Sequence, residues 1–297
     1  MSATNAPSGQ RSPTLADRME LWILQLSKLQ RRAFAKSKAQ YQDFYEEYFE
    51  DKDVEAYTAD PRMTVRRRTI NETLAKYLPA GSNLLDVGCG LGDVLAGIDG
   101  NYKFFGFDFA ASNVERAKKR LGDKAVIKQG SIYEIPYDTA SMDGAMCTEV
   151  LEHIEDDHKA IRDIGRVVKQ GGIFITSVPY QYYYPDYEKL MGHFRHYTRD
   201  SFDALLAEGG FKAEVYLPNY PNWHRRYLFR YVLVRAQHIL FRKFVGSPTL
   251  YQFKYPWSSK PKLQRVAEKL EGARQQDATL DYSKLDTSTF VLARKIK

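Results

Sequence analysis

The stretch Asn83-Leu-Leu-Asp86-Val-Gly88-Cys-Gly90-Leu-Gly92-Asp-Val-Leu95 decides the fold. A short apolar run reaches Asp86, glycines then occupy every second position, and an apolar helix-like segment follows. An apolar strand that runs into a glycine turn and then a helix brings a nucleotide-type ligand against backbone at the strand's carboxyl end. Glycine suits such a turn because it tolerates positive φ, and because a Cβ there would collide with the ligand. The spacing is G-x-G-x-G, not the G-x-G-x-x-G of dinucleotide sites, whose helix N-terminus faces a pyrophosphate. An acid, Asp86, stands two residues before the first glycine.

Outward from this turn, strand and helix signals alternate. Strands are predicted at 84–87, 102–107, 125–128, 144–148, 172–178, 213–217 and 287–296. Helices are predicted at 93–98, 112–121, 157–168 and 198–207, the last closed by Gly209-Gly210. Upstream, residues 14–49 read mostly as helix, Asp60-Pro61 breaks the pattern, and 63–78 reads as a further helix ending before Pro79. Alternation of this kind implies a parallel sheet with helices on both faces. Asp108 ends the second strand twenty residues after Gly88, where an acid can accept hydrogen bonds from both hydroxyls of a ribose. Asp108 could also simply cap the helix at Ser112.

The glycine spacing, Asp86 and Asp108 together resemble motif I and its partner acid in the class I S-adenosylmethionine (SAM)-dependent methyltransferases. The resemblance implies an α/β, doubly wound, seven-stranded Rossmann-like methyltransferase fold with its last strand antiparallel. It covers roughly residues 70–217 and 287–297. The domain reading is a disordered tail over 1–12, an N-terminal helical extension over 13–69, and a helical, basic insertion over 218–286 between strands six and seven.

The resemblance also implies roles for single residues. The cofactor-binding set is Asp86, Gly88, Gly90, Gly92, Asp108, Phe109, Ser131, Ile132 and Thr148. Asp86 would either orient the glycine loop or receive the SAM ammonium. In the family an acid commonly stands at position 131 and accepts from the adenine amino group; this chain has Ser131, which can still hydrogen-bond, with Ile132 next to the ring. Cys147-Thr148-Glu149-Val-Leu-Glu152-His153 is similar to the segment that leaves strand four in small-molecule methyltransferases. An Asn/Asp-Pro-Pro-aromatic turn, usual in enzymes that methylate exocyclic base amines, is absent there. Glu149 is a candidate catalytic acid, or an acid favoured by a helix's first turn.

After strand five comes Tyr180-Gln-Tyr-Tyr-Tyr-Pro-Asp-Tyr187, then Gly192-His193-Phe-Arg-His196-Tyr-Thr198. A loop at that end of the sheet is placed to cover an acceptor, and its aromatic density suits an apolar or ring-shaped one. His193 and His196 are the general-base candidates, because an ordinary imidazole pKa near 6.5 leaves the neutral form available at pH 7. One of them could instead pack at the start of the helix that Thr198 caps. No metal-ligand spacing is evident, so no metal is expected.

The reaction implied is an in-line SN2 methyl transfer, most readily to oxygen, on a small-molecule or glycan- or lipid-linked acceptor. Methylation of a small amine is the alternative within enzymes. A non-catalytic SAM-fold module that binds RNA or membrane through residues 222–265 is the alternative outside them.

Composition narrows the setting. A length of 297 residues suits one large α/β domain with additions, or two small domains. The two cysteines, Cys89 and Cys147, fall in predicted core positions, which fits a reducing, cytoplasmic compartment better than a disulfide framework. Residues 1–12 lack the apolar region of a signal peptide. The longest apolar runs fall well short of the ~18–20 residues of a membrane span.

The net charge of +7 is concentrated. Val215 to Ala267 contains no acid and ten Lys or Arg, so the remainder is slightly acidic. Within it, residues 222–245 read as a basic amphipathic helix. That helix could be a lid over the acceptor, an oligomer contact, a contact to an anionic membrane surface, a grip on a phosphate-bearing substrate, or an RNA-binding face.

Overall fold

The computed structural model describes residues 61–179, 193–218 and 288–297. The N-terminal helices predicted over 14–49, the aromatic loop at 180–187 and the basic segment at 222–265 lie outside these residues.

Helix α1 (Pro61–Tyr77) precedes β1 (Asn83–Val87), the short α2 (Asp93–Ala96), β2 (Lys103–Asp108) and α3 (Ala111–Leu121). Then come β3 (Ala125–Gln129), β4 (Met142–Thr148), a 3-10 turn (Leu151–His153), α4 (Asp157–Val167) and β5 (Val168–Pro179). Helix α5 (Arg199–Glu208), β6 (Phe211–Pro218) and β7 (Ser288–Lys295) complete the order. The strands form one seven-stranded sheet in the order β3-β2-β1-β4-β5-β7-β6. β7 pairs antiparallel with both β5 and β6, while β1 to β5 pair in parallel. This is the doubly wound topology, with the antiparallel last strand, that the sequence predicts.

Side-chain alternation along the strands divides the core in two. Leu85, Val87, Ala145, Cys147, Phe174, Val291 and Ala293 join one cluster with Ile161 and Ile164 of α4 and Phe202 and Leu206 of α5. Leu84, Met146, Ile173, Ile175, Phe290 and Leu292 join the other with Ile70 and Leu74 of α1 and Val114 and Ala117 of α3. Neighbouring residues of one strand point to opposite faces, so a strand covered by helices on both sides is apolar at every position. Helix α1 runs across the 69/70 boundary and packs as part of this core.

Helix starts follow local chemistry. Asp156 caps α4 by accepting from Lys159 N at 2.9 Å. Thr198 and Ser201 form a reciprocal capping box on α5. Two boundaries differ from expectation. Helix α2 stops at Ala96, because Gly97 N already closes on Val94 O. Strand β5 begins at Val168, not Gly172, with a register shift against β4 that places Gly171, at φ 79°, inside the strand.

β1 lies between β2 and β4, where the chain reverses direction across the sheet. Crevices at such a switch point, outside the carboxyl ends of the strands, are where ligands bind in open α/β sheets. The glycine turn, Asp108 and the Thr148–His153 segment all leave strands there.

Candidate functional site: a SAM pocket beside a histidine cluster

The turn after β1 takes positive φ at Gly88, Gly90 and Gly92, at 70°, 52° and 72°. Its glycines serve different ends. A Cβ on Gly88 would stand 2.9 Å from a methyl of Val150, and one on Gly92 would stand 2.8 Å from Leu121 Cδ1. A Cβ on Gly90 would meet nothing within 4 Å. At Gly88 and Gly92 the protein itself fills the space, so a clash with a ligand is not needed to explain those glycines, and only Gly90 leaves room for one. Gly88→Ala should cost about 2–4 kcal/mol of stability, from left-handed strain and overpacking. Gly90→Ala should cost only about 1 kcal/mol of stability but weaken cofactor binding about tenfold or more. Urea denaturation and SAM titration of the two variants separate the effects.

Asp108 reaches back across the turn. Its Oδ2 accepts from Gly90 N at 2.9 Å, and its Oδ1 accepts from Ala110 N and Asn113 Nδ2 at 3.0 Å each. The carboxylate thus ties the turn to the start of α3, which includes the capping role, and its Oδ2 keeps a lone pair for a further donor. Burial pushes its pKa up, opposed by the hydrogen bonds from Asn113, Ala110 and Gly90.

Asp86 is 2 % exposed, and its Oδ2 has no hydrogen-bond partner. Burial first, then the charges of Asp93 and Asp108, push its carboxyl well above the ordinary range. A buried carboxylate left without a donor is costly until a cation meets it. An ammonium group is such a cation, and the three acids together favour positive charge at this end of β1.

The remaining predicted cofactor residues surround this centre unevenly. Phe109, next to Asp108, is a large apolar side chain left 52 % exposed, as a stacking platform requires. Ser131 Oγ accepts from Tyr133 N at 3.2 Å and retains its proton for donation. Ile132, by contrast, is 8 % exposed and packs into the core, so little of its side chain is available to an adenine. Thr148 ends β4 beside Ser177 of β5.

The Val150 contact with Gly88 joins the glycine turn to a second group of residues. Glu149 takes φ 56°, a strained conformation for a non-glycine residue of the kind that collects at functional sites. Its backbone N donates to Ser177 O at 2.9 Å. Its carboxylate accepts from Ser177 Oγ at 2.9 Å and pairs with Arg66 at 3.4 Å. Arg66, on α1, is 5 % exposed. Its part in the site had no signal in the sequence, because a run of three arginines in a helix ordinarily reads as a solvated face.

The segment 193–198 is held onto this turn. Phe194 N donates to Glu152 O at 2.8 Å, and Tyr197 N donates to Pro179 O at 3.2 Å. Arg195 and Tyr197 OH both donate to the buried Asp157. The result is a stack of rings: His153 and His193 meet edge to face at 4.5 Å, and His193 and His196 at 4.9 Å. His193 Nδ1 and His196 Nε2 are 2.6 Å apart. The structure thus brings both predicted histidines together.

It also corrects the basis on which they were expected to act. Burial first, then His153 and His196, pull His193 down to about 2. Burial, only partly opposed by the charge of Glu149, pulls His196 down to about 4. The ordinary value of 6.5 assumed solvated rings, and these are enclosed. Contrary also to the expectation of no metal-ligand grouping, Glu152, His153 and His193 offer ligand atoms that all lie within 4.8 Å of one another. The sequence hid this group because His193 is forty residues from His153 in the chain.

Comparison with known proteins agrees with this geometry. Residues 85–176 match the family model described as a methyltransferase domain. A 27-O-demethylrifamycin SV methyltransferase of Amycolatopsis mediterranei is 32 % identical over 134 residues, covering 42 % of this chain and 47 % of that protein. An O-methyltransferase of Penicillium expansum is 29 % identical over 176 residues, covering 53 % and 64 %. The chain spans about half the length of the curated relatives it matches. Phosphoethanolamine N-methyltransferase 2 of Haemonchus contortus, solved with SAM, aligns at a TM-score of 0.50 and 17 % identity over 77 % of this chain and 53 % of that one, a likeness of fold. Glycine turn, strand-end acid, strand order and family match converge on one conclusion: residues 85–176 form a methyltransferase domain, set in a sheet of the class I SAM-dependent type.

Proposed function

We propose that the protein methylates a hydroxyl oxygen of a small-molecule acceptor, with SAM as donor. The observation that carries the reading is the orphaned Oδ2 of buried Asp86 behind a glycine turn that opens at Gly90. Asp86 would take the cofactor's ammonium, Asp108 the ribose hydroxyls, Phe109 and Ser131 the adenine, and Thr148 the edge nearest the acceptor. The cofactor, when bound, supplies an electrophilic methyl on a sulfonium.

The protein's own part is mainly to hold acceptor and donor in line, which by itself removes much of the barrier. An acceptor oxygen must also lose its proton as it attacks. Glu149 is engaged with Arg66 and Ser177, and burial leaves His193 and His196 as weak bases. A single imidazole therefore supplies little of the proton transfer; the cluster instead presents several neutral lone-pair donors in one place. The relatives named as O-methyltransferases support oxygen as the recipient. No helix among the described residues is long and apolar enough to cross a membrane.

Burial raises the pKa of Asp86 in the ligand-free protein, and an ammonium beside it would lower that pKa again, so binding is expected to be coupled to release of a proton. SAM affinity should fall as pH falls, and titrations in buffers of different ionisation enthalpy should show net proton release. Asp86→Asn should lose that proton release and bind SAM about 10- to 100-fold more weakly, the scale of one charge-assisted contact. Equal affinity in the wild type and Asp86→Asn would overturn the reading. Methyl-labelled SAM, incubated with panels of hydroxylated and amine-bearing small molecules, tests the choice of oxygen.

A further inference from the structure

We propose that Glu152, His153 and His193 hold a divalent first-row transition metal ion beside the acceptor. Two imidazole nitrogens and one carboxylate oxygen form the donor set of three-ligand catalytic zinc sites and of the facial triad that binds ferrous iron, both of which leave positions open. Here the three ligand atoms lie within 4.8 Å of one another. Ligands at about 2.1 Å from a tetrahedral ion stand roughly 3.4 Å apart, so the widest separation must close by at most about 1.4 Å. Side-chain torsions can supply that.

Three independent features point to a cation at this place. Glu152 is 0 % exposed, and neither of its carboxylate oxygens has a hydrogen-bond partner. A carboxylate in that position is costly without a positive partner, and the guanidinium of Arg66 is engaged with Glu149. Second, the contact between His193 Nδ1 and His196 Nε2 at 2.6 Å has the form of an outer-shell hydrogen bond. The tautomer that donates Nδ1–H to His196 presents the lone pair of His193 Nε2 to a metal. Third, the two chain segments are locked in register. His153 N bonds Val150 O at 2.9 Å, and Phe194 N bonds Glu152 O at 2.8 Å. A ligand set held by backbone bonds is pre-organised.

The role of the ion rests on the methyl-transfer reading, although binding of the ion does not. An acceptor hydroxyl reaching an open position would ionise more readily. Its proton would pass to solvent, and the oxygen would form the C–O bond as the C–S bond of the donor breaks. That would make a strong protein base unnecessary.

The test is metal binding by the full chain, stripped with EDTA, dialysed and titrated with Co2+, whose visible absorption reports coordination, then with Zn2+. The wild type is expected to bind one equivalent of Co2+, which Zn2+ displaces. Glu152→Gln and His193→Ala are expected to weaken binding at least about 100-fold, while His158→Ala, which removes an exposed histidine outside the cluster, keeps it. SAM titration of the same preparations shows that the variants are folded. A wild type that binds no more metal than Glu152→Gln overturns the proposal, as does equal loss in His158→Ala. Because the metal and SAM are read separately, a chain that binds metal but not SAM overturns the methyltransferase reading alone, and the reverse overturns the metal site alone.

Discussion

Asp108→Ala is expected to weaken SAM binding about 100-fold, the combined effect of losing two or more charge-assisted hydrogen bonds. The carboxylate does two things at once. It would accept from the ribose, and in the protein it holds Gly90 N, Ala110 N and Asn113 Nδ2 in place. Without it the turn that faces the cofactor loses its anchor to α3, so pre-organisation falls along with the direct contact. Asp108→Asn separates the two. An amide oxygen can still accept from Ala110 N, but its NH2 group would oppose Gly90 N. Isothermal titration should therefore place Asp108→Asn between the wild type and Asp108→Ala. Equal affinities for all three would mean that Asp108 serves only the loop and the helix start.

A large effect on stability, comparable to that of Gly88→Ala, should come from Asp157→Ala, at about 3 kcal/mol. Asp157 is 2 % exposed and takes hydrogen bonds from Arg195 and from Tyr197 OH at 2.8 Å. Its removal leaves the buried Tyr197 hydroxyl only Leu151 O, at 3.3 Å, and the half-buried Arg195 guanidinium only Glu155 O, and breaking a buried pair costs more than the pair contributes. The Arg195 side chain is 32 % exposed, so solvent offsets part of the loss and keeps the figure at the low end of such pairs. For a domain of this size the midpoint of thermal unfolding should drop by about 6–12 °C. Because Arg195 and Tyr197 carry the segment between His193 and Thr198, the same variant should loosen the histidine cluster. An unchanged midpoint would show that Phe194 and Tyr197 backbone bonds alone hold that segment.

Much of the fold could be read in the chain because its signals are local. Glycines that need positive φ, an acid at the end of a strand and apolar runs of four to eight residues each depend on a few neighbours. Their order along the chain implied the parallel sheet, and the family resemblance added its antiparallel last strand. The misplaced start of β5 shows where locality fails. Gly171-Gly172 has the composition of a turn, yet pairing with β4 at Val168 and again at Ile173 draws the chain through it as strand.

The cofactor half of the site was legible for the same reason: Gly88 to Gly92, Asp86 and Asp108 lie within one strand–turn–helix–strand unit. The acceptor half was only partly so. His193 and His196 could be named, but not their company. Arg66, Glu152, His153 and His193 come from a helix before the sheet, a turn after β4 and a segment after β5, and no periodicity relates them.

The sequence by itself therefore determined the strand–helix alternation and the glycine turn, since both are built from short-range backbone preferences. Only the tertiary structure decided the state of the acceptor side. Burial is a property of the whole fold: it takes water from His193 and His196, lowers their proton affinity, and leaves the carboxylate oxygens of Glu152 without a hydrogen bond. The same residues, solvated in an extended chain, would read as two ordinary bases and a surface acid.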